Sequence, residues 1–119
     1  MIKTGADLVA EAKTRIRMID LPEFEAMRTG ATPPMILDVR EPNEVNLGRI
    51  PAAIAIPRGQ METKVEAIFP REAAIVIYCA SDNRSSLAAD TLRYMGYTNV
   101  VALRGGWGAW VSSGGPVEG

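Results

Sequence analysis

The sequence predicts an α/β fold: a central, mainly parallel sheet of five strands with helices on both faces. Three runs rich in β-branched residues, MILDV (35–39), AAIVIYC (73–79) and NVVAL (99–103), are apolar on both alternating faces. Strands read this way when a parallel sheet is covered on two sides. Helical patterns lie between them, and strands alternating with helices point to an open α/β sheet. At 119 residues the chain is one domain by size, long enough to bury roughly two-thirds of the surface its unfolded form exposes.

Residues 1–15 read as an added amphipathic helix with Leu8, Val9 and Ala12 on one side. Its expected role is to cover the domain formed by 16–119, with a docking face for another subunit as the alternative. IRMID (16–20) is a short strand candidate. Asp20-Leu21-Pro22-Glu23 has the order of a helix start: a short acceptor at the cap, proline in the first turn and a carboxylate three residues on. That helix is expected to run to about Thr29 and end at Gly30. After the strand MILDV, AAIAIP (52–57) is a weaker strand candidate because alanine favours strands less. Beyond AAIVIYC, the segment Arg84 to Met95 places Leu87, Ala88, Thr91, Leu92 and Met95 on one stripe, with Gly96 as a left-handed stop. NVVAL is the last strand. Trp107 and Trp110 share a face of a short final helix closed by Gly114 and Gly115.

Composition removes several classes of function. One cysteine forbids an intrachain disulfide, and the absence of histidine removes zinc sites of the usual ligand sets as well as Cys-His and Ser-His-Asp catalysis. A net charge of -1, from 13 basic and 14 acidic residues without blocks of one sign, gives no footprint for nucleic acid. No run approaches the roughly 18 apolar residues of a membrane-spanning helix. The expectation is a soluble, cytoplasmic protein that binds neither nucleic acid nor membrane.

The single cysteine sits in YCASDNRSS (78–86), where an apolar strand gives way to a helix. Ligands of open α/β sheets bind beyond the carboxyl ends of the strands, and Cys79 occupies that place. A thiolate is the reactive form, whereas a free thiol near pKa 8.5 is mostly protonated at neutral pH. A tight strand-to-helix loop can turn backbone N–H groups inward and add the positive end of the following helix, and Arg84 supplies a fixed charge nearby. The same cradle would hold a persulfide, a sulfonate or a phosphate. The competing reading makes Cys79 a small apolar filler at a strand end, a common fate of free cysteine.

Two long segments resemble the rhodanese family. ILDVREPNEVNLGRIPAAIAIP is similar to the signature L-[IV]-D-V-R followed by E-[FY]-x-x-G-H-I-x-G-A-x-x-[IL]-P. IVIYCASDNRSSLAADTLRYMGYTNVVALRGGWGAWVSSGGPVE is similar to the second, which joins a C-x-x-G-x-R-S loop, an Ala-rich helix, G-[FY]-x-N-V, L-x-G-G and W-x-x-x-G-x-P. The likeness runs from about Ile19 to Glu118. It implies a rhodanese-like fold and a single-domain sulfurtransferase. In such an enzyme Cys79 takes a sulfane sulfur from a donor such as thiosulfate, becomes a persulfide, and passes the sulfur to cyanide, a thiol or a protein acceptor. Arg84 would act with Cys79, and Ala80, Ser81, Asp82, Asn83 and Ser85 would line the substrate loop. Asp38 and Arg40 match the D-V-R motif and are expected to hold neighbouring loops together as an ion pair. Gly105 and Gly106 would permit a tight turn, with Trp110 in the core. The resemblance implies no metal or organic cofactor, and a monomer or homodimer.

Cys79 to Arg84 reads C-x4-R, the family's sulfurtransferase spacing, whereas phosphatases and arsenate reductases of this fold resemble C-x5-R. Three departures from the pattern carry weight. Asp82 replaces the loop glycine, Arg49 the histidine of G-H-I, and Ala52 the glycine after it. Aspartate tolerates left-handed geometry but brings a negative charge near the proposed anion. A catalytically weak module serving in binding or regulation is therefore the alternative to the enzyme, and a small phosphatase or arsenate reductase of the same fold is a third reading, disfavoured by the loop length.

Overall fold

The computed structural model describes residues 1–119. In chain order it contains α1 (Gly5–Arg15), β1 (Arg17–Ile19), α2 (Leu21–Arg28), β2 (Met35–Asp38), α3 (Pro42–Val45), β3 (Ile54–Ala55), a 3-10 turn (Arg58–Gln60), α4 (Met61–Ile68), β4 (Ile75–Tyr78), α5 (Asn83–Tyr94), β5 (Val100–Leu103) and α6 (Gly106–Ser112). The five strands form one sheet in the order β1-β5-β4-β2-β3, and every neighbouring pair is parallel. The expected mainly parallel sheet is thus wholly parallel. All five strand candidates are present, each shorter than the apolar run that signals it.

Alternation along the strands divides the interior in two. Leu37, Ile75, Ile77 and Ala102 face Met61, Val65, Ala88 and Leu92 of α4 and α5. Ile36, Val76, Val101 and Leu103 face Phe24 of α2 and Trp110 of α6 on the other side. Central β4 is buried along its whole length, in keeping with IVIY carrying no charged residue on either face. Trp110 is buried, meets Phe24 edge-on at 5.7 Å between ring centroids, and donates its indole N–H to Pro116 O at 2.8 Å.

Several local expectations need correction. Asp20 stands at the N-cap of α2, but its side chain makes no capping bond; it accepts from Arg104 Nε at 2.9 Å instead. An exposed carboxylate beside an arginine finds a charged partner stronger than an amide. Helices α3 and α4 have no counterpart in the sequence reading. Along α1, Ala12 is buried and Val9 half-buried, while Leu8 points to solvent. This helix packs along α5, and Arg15 reaches Asp90 with Nε–Oδ1 at 3.0 Å and Nη2–Oδ2 at 2.7 Å. No helix is long and apolar enough to cross a membrane.

Candidate active site

Strand β4 delivers Cys79 to the carboxyl end of the sheet, and residues 79–82 turn the chain into α5. Cys79 is 1% exposed. Its sulfur accepts from Ser85 N at 3.3 Å and donates to Ser85 Oγ at 3.3 Å, and Ser85 Oγ in turn donates to Asp82 O at 3.3 Å. Ser85, expected to line the loop, is the third residue of α5, and both its amide and its hydroxyl contact the sulfur. Asn83, expected in the loop, begins the helix.

The first turn of α6 holds the loop from outside. Trp107 N donates to Cys79 O at 2.8 Å, and Gly108 N donates to Ala80 O at 3.1 Å. Such close approach requires glycine at Gly106, where a Cβ would lie 2.2 Å from Cys79 O and φ is +49°. Gly105 and Gly106 both adopt positive φ, the tight turn expected of them.

Asp82 is not left-handed: its φ is -127° and ψ -16°. Its carboxylate joins the loop to the turn before α6, with Oδ1 accepting from Gly105 N at 2.7 Å, while Oδ2 lies 4.0 Å from Lys13 Nζ of α1. Arg84 is also partnered. Its Nη1 and Nη2 donate to the two carboxylate oxygens of Glu44 at 2.6 and 3.0 Å. Glu44 Oε1 additionally accepts from Glu41 N at 3.0 Å, which fixes it at the start of α3. The Arg84 hydrogen bond, with its charge and the Glu41 amide, lowers Glu44 to about 2, although burial opposes the shift. Glu44 hydrogen bonding likewise raises Arg84.

Beneath the loop, Asp38 and Arg40 form a buried pair, with Nε–Oδ1 at 3.0 Å and Nη2–Oδ2 at 2.7 Å. Arg40 Nη2 also donates to Gly48 O at 2.8 Å, and its guanidinium stacks 4.5 Å from the Trp107 ring centroid. Tyr78 Oη donates to Asp38 Oδ2 at 2.6 Å and accepts from Ile50 N at 3.1 Å. Burial of Arg40 alone would lower it; the Asp38 bonds and charge outweigh this and raise it. Burial and the adjacent Asp38 charge push the Tyr78 hydroxyl upward. Both Asp38 carboxylate oxygens, Arg40 Nε and Nη2 and the Tyr78 hydroxyl are all hydrogen-bonded, as a buried charge requires.

The structure therefore gathers Cys79, Ala80, Ser81, Asp82 and Ser85 around one loop, with Arg84 and Asn83 on the first turn of α5 and Asp38–Arg40 as the layer below. Sequence reasoning missed Glu44, Lys13 and Tyr78. The signature E-[FY] falls on Glu44-Val45, so a signal for Glu44 existed; none exists for Lys13, which lies 69 positions from Asp82 and meets it only through helix packing.

Comparison with known proteins bears on this arrangement. A family model, the rhodanese-like domain, matches residues 20–113. A sulfurtransferase from Allochromatium vinosum is 37% identical over 83 residues, covering 70% of this chain and 77% of that protein. The thiosulfate:glutathione sulfurtransferase of Saccharomyces cerevisiae is 31% identical over 93 residues, covering 68% of this chain and 67% of its own. Among solved structures, a protein of unknown function from Rhodopseudomonas palustris, described as a possible tyrosine phosphatase, has a TM-score of 0.87 at 31% identity and covers 99% of this chain and 96% of that one.

Proposed function

The chain belongs to the rhodanese-like domain family, and from that premise we propose that it moves a sulfane sulfur through a persulfide on Cys79. The observation that carries the reading is the orientation of the loop around the sulfur. Cys79 O and Ala80 O are held by α6, so trans-planar peptides aim the following N–H groups, those of Ala80 and Ser81, away from α6 and leave them to line the cradle. With Ser85 N–H and the α5 terminus they hold one anion. In the thiol form Sγ–H donates to Ser85 Oγ, which donates to Asp82 O. On ionisation the Ser85 hydroxyl rotates and donates to sulfur instead. Asp38 and Arg40 support the neighbouring segments and touch no substrate.

The thiolate attacks the outer sulfur of a donor such as thiosulfate. The sulfur–sulfur bond of the donor breaks, sulfite leaves with the electron pair, and Cys79 carries S–S⁻. Cyanide or a thiolate then attacks the outer sulfur and Cys79 departs as thiolate. No redox partner enters the cycle. The phosphatase reading, which the description of the R. palustris neighbour also raises, needs a wider cradle for a tetrahedral phosphate than C-x4-R supplies.

Intact mass after incubation with thiosulfate tests the proposal. A gain of about 32 Da, removed by cyanide or dithiothreitol, is expected. Cys79→Ser should gain nothing while keeping its circular dichroism spectrum, because a hydroxyl of similar size cannot carry sulfane sulfur. A parent that never gains the mass from any sulfane donor is the result that defeats it.

A further inference from the structure

We infer that the loop is matched to an organic persulfide, R–S–SH, as sulfur donor rather than to the thiosulfate dianion; this rests on the sulfurtransferase reading above. The cations around the loop are already neutralised by this chain's own carboxylates. Arg84 is held by both oxygens of Glu44, at 2.6 and 3.0 Å. Arg40 is buried against Asp38. Lys13 faces Asp82, which also accepts from Gly105 N. Arg104, next to Gly105, is paired with Asp20. What remains is a set of backbone N–H groups and a helix terminus, enough to stabilise one negative charge.

The Cys79 thiolate uses that capacity. A dianion approaching it meets the thiolate's repulsion with no unpartnered side-chain cation to offset it, because the Arg84 charge is already compensated by Glu44. A persulfide with an uncharged carbon end avoids the charge repulsion in its protonated form, R–S–SH, and even its anion carries one charge where thiosulfate carries two. The thiolate attacks the outer sulfur, the bond between the two donor sulfurs breaks, and R–S⁻ leaves with the electron pair. The proton stays on the transferred sulfur, giving Cys79–S–SH. Charge and atoms balance without a further reactant.

The test uses 2-hydroxyethyl persulfide and thiosulfate as donors, following the appearance of Cys79 persulfide by rapid-quench intact mass. Each rate is divided by that of the same donor with N-acetylcysteine, to remove intrinsic reactivity. The normalised rate should favour the persulfide by tenfold or more at low ionic strength. Glu44→Gln and Asp82→Asn should each raise the thiosulfate-to-persulfide ratio by about three- to tenfold, and the gain should shrink in about 0.5 M salt as the charges are screened. Asparagine keeps an acceptor for Gly105 N, so its effect reports charge. If thiosulfate is accelerated as well as the persulfide, or neither variant moves the ratio, the charge argument is wrong while sulfur transfer stands. If neither donor adds mass, the sulfurtransferase reading falls and this inference with it.

Discussion

Ala52 carries a φ of 69°, the one positive value outside glycine. The turn around it explains why. Ala53 N donates to Ile50 O at 3.1 Å, with Pro51 and Ala52 at the two central positions. Proline first and a positive φ second describe a type II turn, whose second central residue is normally glycine. A Cβ in this conformation costs roughly 1–2 kcal/mol, part of which glycine returns through its more flexible unfolded chain. Ala52→Gly should therefore raise unfolding free energy by about 0.5–1 kcal/mol. The urea midpoint measures it; a lower midpoint would mean that the turn is unstrained. This departure from the family pattern is legible in sequence as a position, but its strain is not, because φ depends on the turn closing. Asp82 shows the converse. The sequence locates it beside the sulfur, yet its ties to Gly105 and Lys13 depend on α6 and α1 packing against the same loop.

Helices that announce themselves have a long stripe or a clear stop, as α5 does with Ala88, Leu92 and the left-handed Gly96. Helix α4 buries only Met61 and Val65, with Ile68 left exposed. Two apolar residues four apart are too few to separate a helix from a loop. Helix α3 is a single turn, yet it places Glu44 against Arg84. The short α6 matters most to the site, since its first turn carries the amides that orient Cys79 O and Ala80 O. Gly106→Ala tests this coupling between elements. The new methyl would meet Cys79 O at 2.2 Å and Ser81 O at 2.7 Å, and both are backbone atoms that no rotamer change can clear. The loop and α6 must separate, at an expected loss of about 2–4 kcal/mol in stability. Alkylation of Cys79 by iodoacetamide should change rate in the same variant by more than it does in an equally destabilised core variant such as Val65→Ala. Equal alkylation rates in the two would show that α6 stabilises the fold without shaping the loop.

At the scale of the molecule, α1 stands apart from the rest. The family match begins at residue 20, and neither apolar core contains a residue from 1–15. The helix is nonetheless joined to α5 by buried Ala12 and by the Arg15 fork on Asp90, a carboxylate 7% exposed that Arg93 also reaches at 3.2 Å. Those bonds to Arg15 and Arg93 lower Asp90 despite its burial. We propose that 16–119 is the folding unit and that α1 is a cover docked on it. A chain shortened to 16–119 should then unfold cooperatively with unchanged strand content, at a cost of about 1–3 kcal/mol from the uncovered flank of α5 and the half-paired Asp90. Arg15→Met in the full chain should reproduce the part of that loss due to Asp90, and the remainder belongs to Ala12 and its neighbours. Urea titrations followed by tryptophan fluorescence separate the outcomes, because Trp107 and Trp110 both lie in α6, far along the chain from α1. A shortened chain without a cooperative transition would make α1 part of the fold itself and move the domain boundary to the first residues. An unchanged midpoint would instead mean that α1 does not rest on α5 in solution, and the Lys13–Asp82 contact beside the sulfur would go with it.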